Sequence, residues 1–143
     1  MVAEMLVRDL DKSKQNALLR SRGYDVNSPT GINVDIECSK IFVGGHNGMV
    51  GSAVMCALHK TGANNLLTTD RAQLDLTNQA AVHSYMDSKQ PEIVIIAAAR
   101  VGGINANNTY PAEFIYQNLM MELNLIHGAY QSGCKRLLFL GTS

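Results

Sequence analysis

The chain has 143 residues, 46% hydrophobic and 17% charged, and its 12 basic and 12 acidic side chains leave a formal net charge of zero at pH 7. That is the composition of one soluble globular domain, and the balanced charge argues against nucleic acid or an anionic membrane surface as a partner. The three cysteines, Cys38, Cys56 and Cys134, lack CxxC or Cys/His spacing, so no metal site is expected and a reducing cytoplasm is.

Residues 1–38 read as an N-terminal helix and linker. Val2, Met5, Leu6, Leu10, Ala17 and Leu18 fit one apolar stripe of a helix over Met1 to Arg20. Gly23 can stop it, and Asn27 to Gly31 has turn and linker chemistry. From Ser39 the pattern changes to alternating strands and helices, and residues 39–143 form the second unit. The run KIFVGG is a first strand, and Met49 to Lys60 a helix closed by Gly62. Asn65 to Thr69 is a short second strand, followed by a helix over Asn78 to Ser88 with Thr77 or Asn78 as its N-cap. Pro91 precedes EIVIIAAA, a buried strand still far short of the ~20 apolar residues of a membrane span. Pro111 opens a long helix running to about Gln131 and ended by Gly133, and KRLLFLGTS is the fourth strand. Strands that are apolar throughout and separated by helices imply a parallel sheet covered on both faces. The expectation is an α/β, Rossmann-type doubly wound sheet of about four strands, incomplete relative to the full fold.

Between the first strand and its helix lie Gly45, Gly48 and Gly51, in G-x-x-G-x-x-G spacing. The first glycine permits the tight turn, the second lets backbone approach a pyrophosphate, and the third lets helix and strand pack closely. The helix start then aims free N–H groups and the positive dipole end at the phosphates. A tight connection without ligand remains the plainer reading of glycines alone. The second strand is followed by Asp70 and Arg71. A carboxylate near that point would accept from the ribose of NAD, whereas an arginine would pair with the 2′-phosphate of NADP. A solvated loop pair is the third possibility. A carboxylate beside a phosphate costs affinity unless it points away, and Arg71 favours NADP.

GGHNGMVGS, RAQLDLTN, the run from Ala97 to Tyr130 and KRLLFLGTS together resemble the N-terminal half of the GDP-L-fucose synthases, which are extended short-chain dehydrogenases. The resemblance implies an NADP-dependent epimerase and reductase that converts GDP-4-keto-6-deoxy-D-mannose to GDP-L-fucose, with a GDP-sugar substrate and a homodimeric full-length enzyme. It implies a pyrophosphate loop of Gly45, His46, Asn47, Gly48, Met49, Val50 and Gly51, with Arg71 on the 2′-phosphate. Asp75 and Leu76 would lie near the adenine, and Ala97, Ala98 and Ala99 would leave room for the cofactor. Leu140, Gly141, Thr142 and Ser143 would end a strand beside the nicotinamide, Thr142 carrying the catalytic hydroxyl in place of the family's serine. Asn47 stands where relatives commonly carry a cation. The family's Tyr-x-x-x-Lys pair would follow Ser143, so this chain by itself is expected to be inactive. Tyr85 and Lys89 match that spacing but read as a surface pair on an outer helix. Residues 1–26 resemble the C-terminal tail of GDP-mannose 4,6-dehydratase, as though two pathway enzymes were joined. The alternatives are a non-catalytic NAD(P)-binding regulatory module and another nucleotide-sugar epimerase or dehydratase.

Overall fold

The computed structural model describes residues 35–140. The expected N-terminal helix, the resemblance to a dehydratase tail, and Gly141 to Ser143 lie outside the described residues. In chain order the elements are β1 (Ile41–Gly44), α1 (Met49–Lys60), β2 (Leu66–Leu67), α2 (Gln79–Lys89), β3 (Ile93–Ile96), α3 (Ile104–Thr109), α4 (Pro111–Gln131) and β4 (Arg136–Phe139).

The four strands form one parallel sheet in the order β2-β1-β3-β4. Ile41 is level with Leu66 on one side and Ile93 on the other, and Ile93 is level with Arg136. The alternation of a pleated strand then divides the core between two faces. Phe42, Val94 and Ile96 meet Val82 and Met86 of α2 and Leu125 and Ala129 of α4. Ile41, Val43 and Ile95 face the other way, toward Val54, Met55 and Leu58 of α1. Helices therefore cover both faces, which is why β1 can be buried along its whole length without a polar position. Each large apolar side chain buried this way is worth roughly 1.5–3 kcal/mol.

Local chemistry sets most boundaries. Gly62 follows α1 with φ +82°, and Gly133 follows α4 with φ +75°, both left-handed conformations that glycine adopts at low cost. Asn78 caps α2, its side-chain oxygen accepting from the Ala81 N–H at 3.1 Å. Three features differ from the expectation. Strand β3 ends at Ile96 rather than continuing through the alanines. The short helix α3 was not anticipated. Tyr85 is partly buried rather than fully on the surface, its ring packing against Phe42 with centroids 5.4 Å apart, and burial raises its pKa.

Among the described residues two apolar surfaces stay open. The edge strand β4 leaves Leu137, Leu138 and Phe139 partly exposed, Leu138 by 50%. On α4, opposite the buried Leu125 and Ala129, the residues Tyr116, Leu119, Leu123, Ile126 and Tyr130 are exposed. Among the described residues no helix is long and apolar enough to cross a membrane.

Candidate nucleotide-binding site

The chain reverses direction across the sheet between β1 and β3, and ligands of open parallel sheets bind at such a point, beyond the carboxyl ends of the strands. A cavity of about 300 Å³ lies there. One wall is the glycine-rich turn, through Gly45, His46, Asn47 and Gly48, backed by Ala97 to Ala99 after β3.

The glycines have distinct surroundings. Gly45 has φ +83°, and a Cβ on it would lie 2.6 Å from the backbone of Ala98. A Cβ on Gly51 would fall 2.0 Å from the Gly45 carbonyl oxygen. Both positions therefore fix how closely the turn, the helix start and β3 approach one another. Gly48 is different. Its Cβ would meet only the Gly45 carbonyl oxygen at 3.4 Å, and it is the N-cap of α1 with ordinary extended angles. No acidic residue occupies the first turn of α1, so neither side chain nor charge competes with an anion for its leading N–H groups.

The opposite wall follows β2 and includes Thr69, Asp70, Arg71, Asp75 and Leu76. The Asp75 carboxylate accepts from the Thr77 hydroxyl at 2.7 Å and the Thr77 N–H at 2.9 Å. The hydroxyl bond first, and then the N–H bond, hold its carboxyl below the usual carboxylate range. Both bonds fall on Oδ1. The carbonyl of Leu76 accepts from the side chain of buried Asn124 at 2.9 Å, which fastens this wall to α4. Asp70 leans across the cavity mouth, its Oδ1 accepting from Asn47 Nδ2 at 2.7 Å with His46 Nε2 at 3.8 Å.

A third side comes from Arg100, Gln117 and Met121. Asn118 of α4 brings it in, accepting from the Arg100 N–H at 2.6 Å and donating to the Arg100 carbonyl at 3.1 Å. The Arg100 guanidinium lies 4.8 Å above the Phe114 ring, a cation–π arrangement.

Ten of the residues expected at the site thus line one cavity: Gly45, His46, Asn47, Gly48, Arg71, Asp75, Leu76, Ala97, Ala98 and Ala99. Gly51 is buried beneath the turn, and Met49, 88% exposed, does not line the cavity, nor does Val50. Leu140 extends the β4 ladder, its N–H donating to the Ile96 carbonyl at 3.1 Å, and also lies outside the cavity lining. Gly141, Thr142 and Ser143 are not described. Arg100, Gln117 and Met121 were not anticipated, although Gln117 and Met121 stand one helical turn apart on the same face of a recognisable helix.

The model of the NAD dependent epimerase/dehydratase family matches residues 41–143. The chain belongs to that family. Among its members, GDP-L-fucose synthase 1 of Arabidopsis thaliana is 55% identical over 107 residues, which make up 75% of this chain and 33% of that protein. The GDP-L-fucose synthase of Escherichia coli (strain K12) is 50% identical over 104 residues, 73% of this chain and 32% of that one. The solved structure of a GDP-mannoheptose C4 reductase from Campylobacter jejuni with NADP bound is 39% identical, with a TM-score of 0.71 over 76% of this chain and 34% of that one. The chain spans about a third of the length of these epimerase/dehydratase relatives.

Proposed function

We propose that residues 39–143 are the NADP-binding domain of a GDP-L-fucose synthase, with residues 1–38 a separate segment. The observation that carries this reading is the glycine cradle, in which Gly45 and Gly51 admit no Cβ while Gly48 leaves bare backbone beside the N-terminus of α1. That arrangement suits a pyrophosphate held by backbone N–H groups. Arg71 in the same cavity supplies the cation for a 2′-phosphate. Asp75 uses Oδ1 for Thr77, so Oδ2 is the oxygen for an adenine amino group, with Leu76 beside the ring. The small side chains of Ala97, Ala98 and Ala99 leave the middle of the cavity free. When bound, NADPH would supply the hydride for reduction at C4 of the keto sugar. Thr142 would donate its hydroxyl to the carbonyl oxygen there and hold it in place.

The A. thaliana and E. coli relatives support the GDP-L-fucose synthase reading. The C. jejuni reductase favours a second one, reduction of another GDP-linked keto sugar at C4. Rates of NADPH consumption by the full-length enzyme with 6-deoxy-hexose and heptose substrates separate the two. The exposed apolar stripe of α4 supports a homodimer, and the free thiols of Cys38, Cys56 and Cys134 suit a cytoplasmic setting.

Titration of the chain with NADPH, followed by nicotinamide fluorescence, tests the cofactor assignment. Saturable binding is expected, and Arg71→Ala should weaken it by ~10-fold, the worth of one charge-assisted phosphate pair. NADH binding should be nearly unchanged by that substitution. No saturable binding of either nucleotide would remove the reading.

A further inference from the structure

Asp70 presents a conflict within the proposed nucleotide site. The end of the second strand is where dinucleotide folds separate the two cofactors, by a carboxylate for the ribose hydroxyls or an arginine for the 2′-phosphate. This chain carries both, Asp70 followed by Arg71, and both line the cavity. An acid turned out to solvent would be irrelevant to selectivity. Here the carboxylate is exposed but tethered to the glycine turn. Asn47 of the glycine turn donates to its Oδ1 at 2.7 Å, and His46 Nε2 lies 3.8 Å from the same oxygen. Asn47 thus ties the carboxylate to the glycine turn at the mouth of the site.

We infer that Asp70, held over the adenosine corner by Asn47, is a specificity-determining residue that narrows the preference for the 2′-phosphorylated dinucleotide. The inference rests on the nucleotide-binding reading above. The wall after β2 sets two carboxylates, Asp70 and Asp75, against the guanidinium of Arg71, so the corner offers a 2′-phosphate little net attraction. The turn adds a neutral amide at Asn47, and His46 contributes charge only when protonated. A 2′-phosphate placed there gains from Arg71 and loses to Asp70, because like charges at short range oppose each other. The 2′-hydroxyl of NADH carries no such penalty and can donate to the carboxylate, a charge-assisted hydrogen bond. Asp70 is 61% exposed, so solvent screens the effect and a moderate selectivity change is expected rather than a complete switch.

The test compares dissociation constants for NADPH and NADH in the parent chain and in Asp70→Asn, which keeps the shape and an acceptor for Asn47 but removes the charge. The NADH-to-NADPH ratio of dissociation constants should rise by about 10-fold in the variant, with NADPH tighter and NADH no better. A second readout follows from the charges. The ratio should fall more steeply with added salt in Asp70→Asn, where Arg71 faces only Asp75, than in the parent chain, where it faces both carboxylates. Asp70→Ser replaces Asp70→Asn if circular dichroism shows the latter misfolded. An unchanged ratio in a folded variant that binds both nucleotides overturns this inference and leaves the cofactor assignment standing. A parent chain that binds neither nucleotide overturns both.

Discussion

Gly48 and Gly51 share one turn, and the space around them separates binding from folding. A methyl group at Gly51 would collide with the Gly45 carbonyl at 2.0 Å, and backbone on both sides leaves nothing flexible to move. Gly51→Ala should cost about 3 kcal/mol or more, read as a fall in the urea midpoint. Gly48 has φ −73° and ψ 167°, angles any residue adopts, and a methyl there lies 3.4 Å from the same oxygen. Gly48→Ala should cost only about 1 kcal/mol, the ordinary difference between these residues at an N-cap. It should nevertheless weaken NADPH by ~10-fold or more, because the methyl occupies the approach of the pyrophosphate. Parent-like NADPH affinity in Gly48→Ala would show that no phosphate comes near this residue. The glycine turn was legible in the sequence because each glycine answers a local backbone demand. Arg100 and Gln117 were not, since Asn118 brings their two segments together by bonds to the Arg100 backbone. The direction of Asp70 was equally hidden, because it depends on Asn47 reaching across from another loop.

Elements followed the same logic of local against distant causes. Helix α2 begins where the sequence placed it because Asn78 satisfies the Ala81 N–H, so its start is encoded within one turn. Asn78→Ala should cost about 1 kcal/mol of stability by chemical denaturation, while Asn78→Asp should keep the cap and stay within about 0.5 kcal/mol of the parent. Equal losses in both variants would mean that the cap hydrogen bond is not what sets the helix start. The long apolar runs of β1 and β3 were readable because a sheet covered on both faces needs no polar position. The end of β3 was not. The residues after Ile96 are as apolar as those before it, and only the position of the glycine turn against Ala97 and Ala98 decides where the ladder stops. Helix α3 escaped notice because INANNT has no apolar period and is rich in asparagine, a poor helix former. Helix α4 showed the opposite behaviour. Its length was plain from Pro111 and Gly133, but its sequence is apolar on two sides, and only the fold reveals which side is buried.

That second side bears on the molecule as a whole. Tyr116, Leu119, Leu123, Ile126 and Tyr130 alternate steps of three and four along α4, the spacing of a heptad seam that packs helix against helix. The opposite face, with Leu125, Gly128 and Ala129, is already buried on α2 and the sheet. An exposed seam of this kind on a described surface calls for a partner, and in a homodimer the same stripe can meet itself about a two-fold axis. Among the described residues the edge strand β4 offers a rival contact through the partly exposed Leu138. The two routes predict different mutational outcomes. If α4 is the seam, sedimentation equilibrium should show a reversible dimer. Leu123→Glu, at a position 59% exposed in the single chain, should then raise its dissociation constant by at least ~100-fold, about 2.7 kcal/mol. The helical circular dichroism signal and NADPH affinity should hold, since Leu123 contacts neither the core nor the cavity lining. If β4 is the seam, Leu123→Glu should leave the dimer intact, whereas Leu138→Lys should weaken it by placing a charge on the apolar edge. A parent chain that sediments as a monomer at all concentrations would dismiss both contacts.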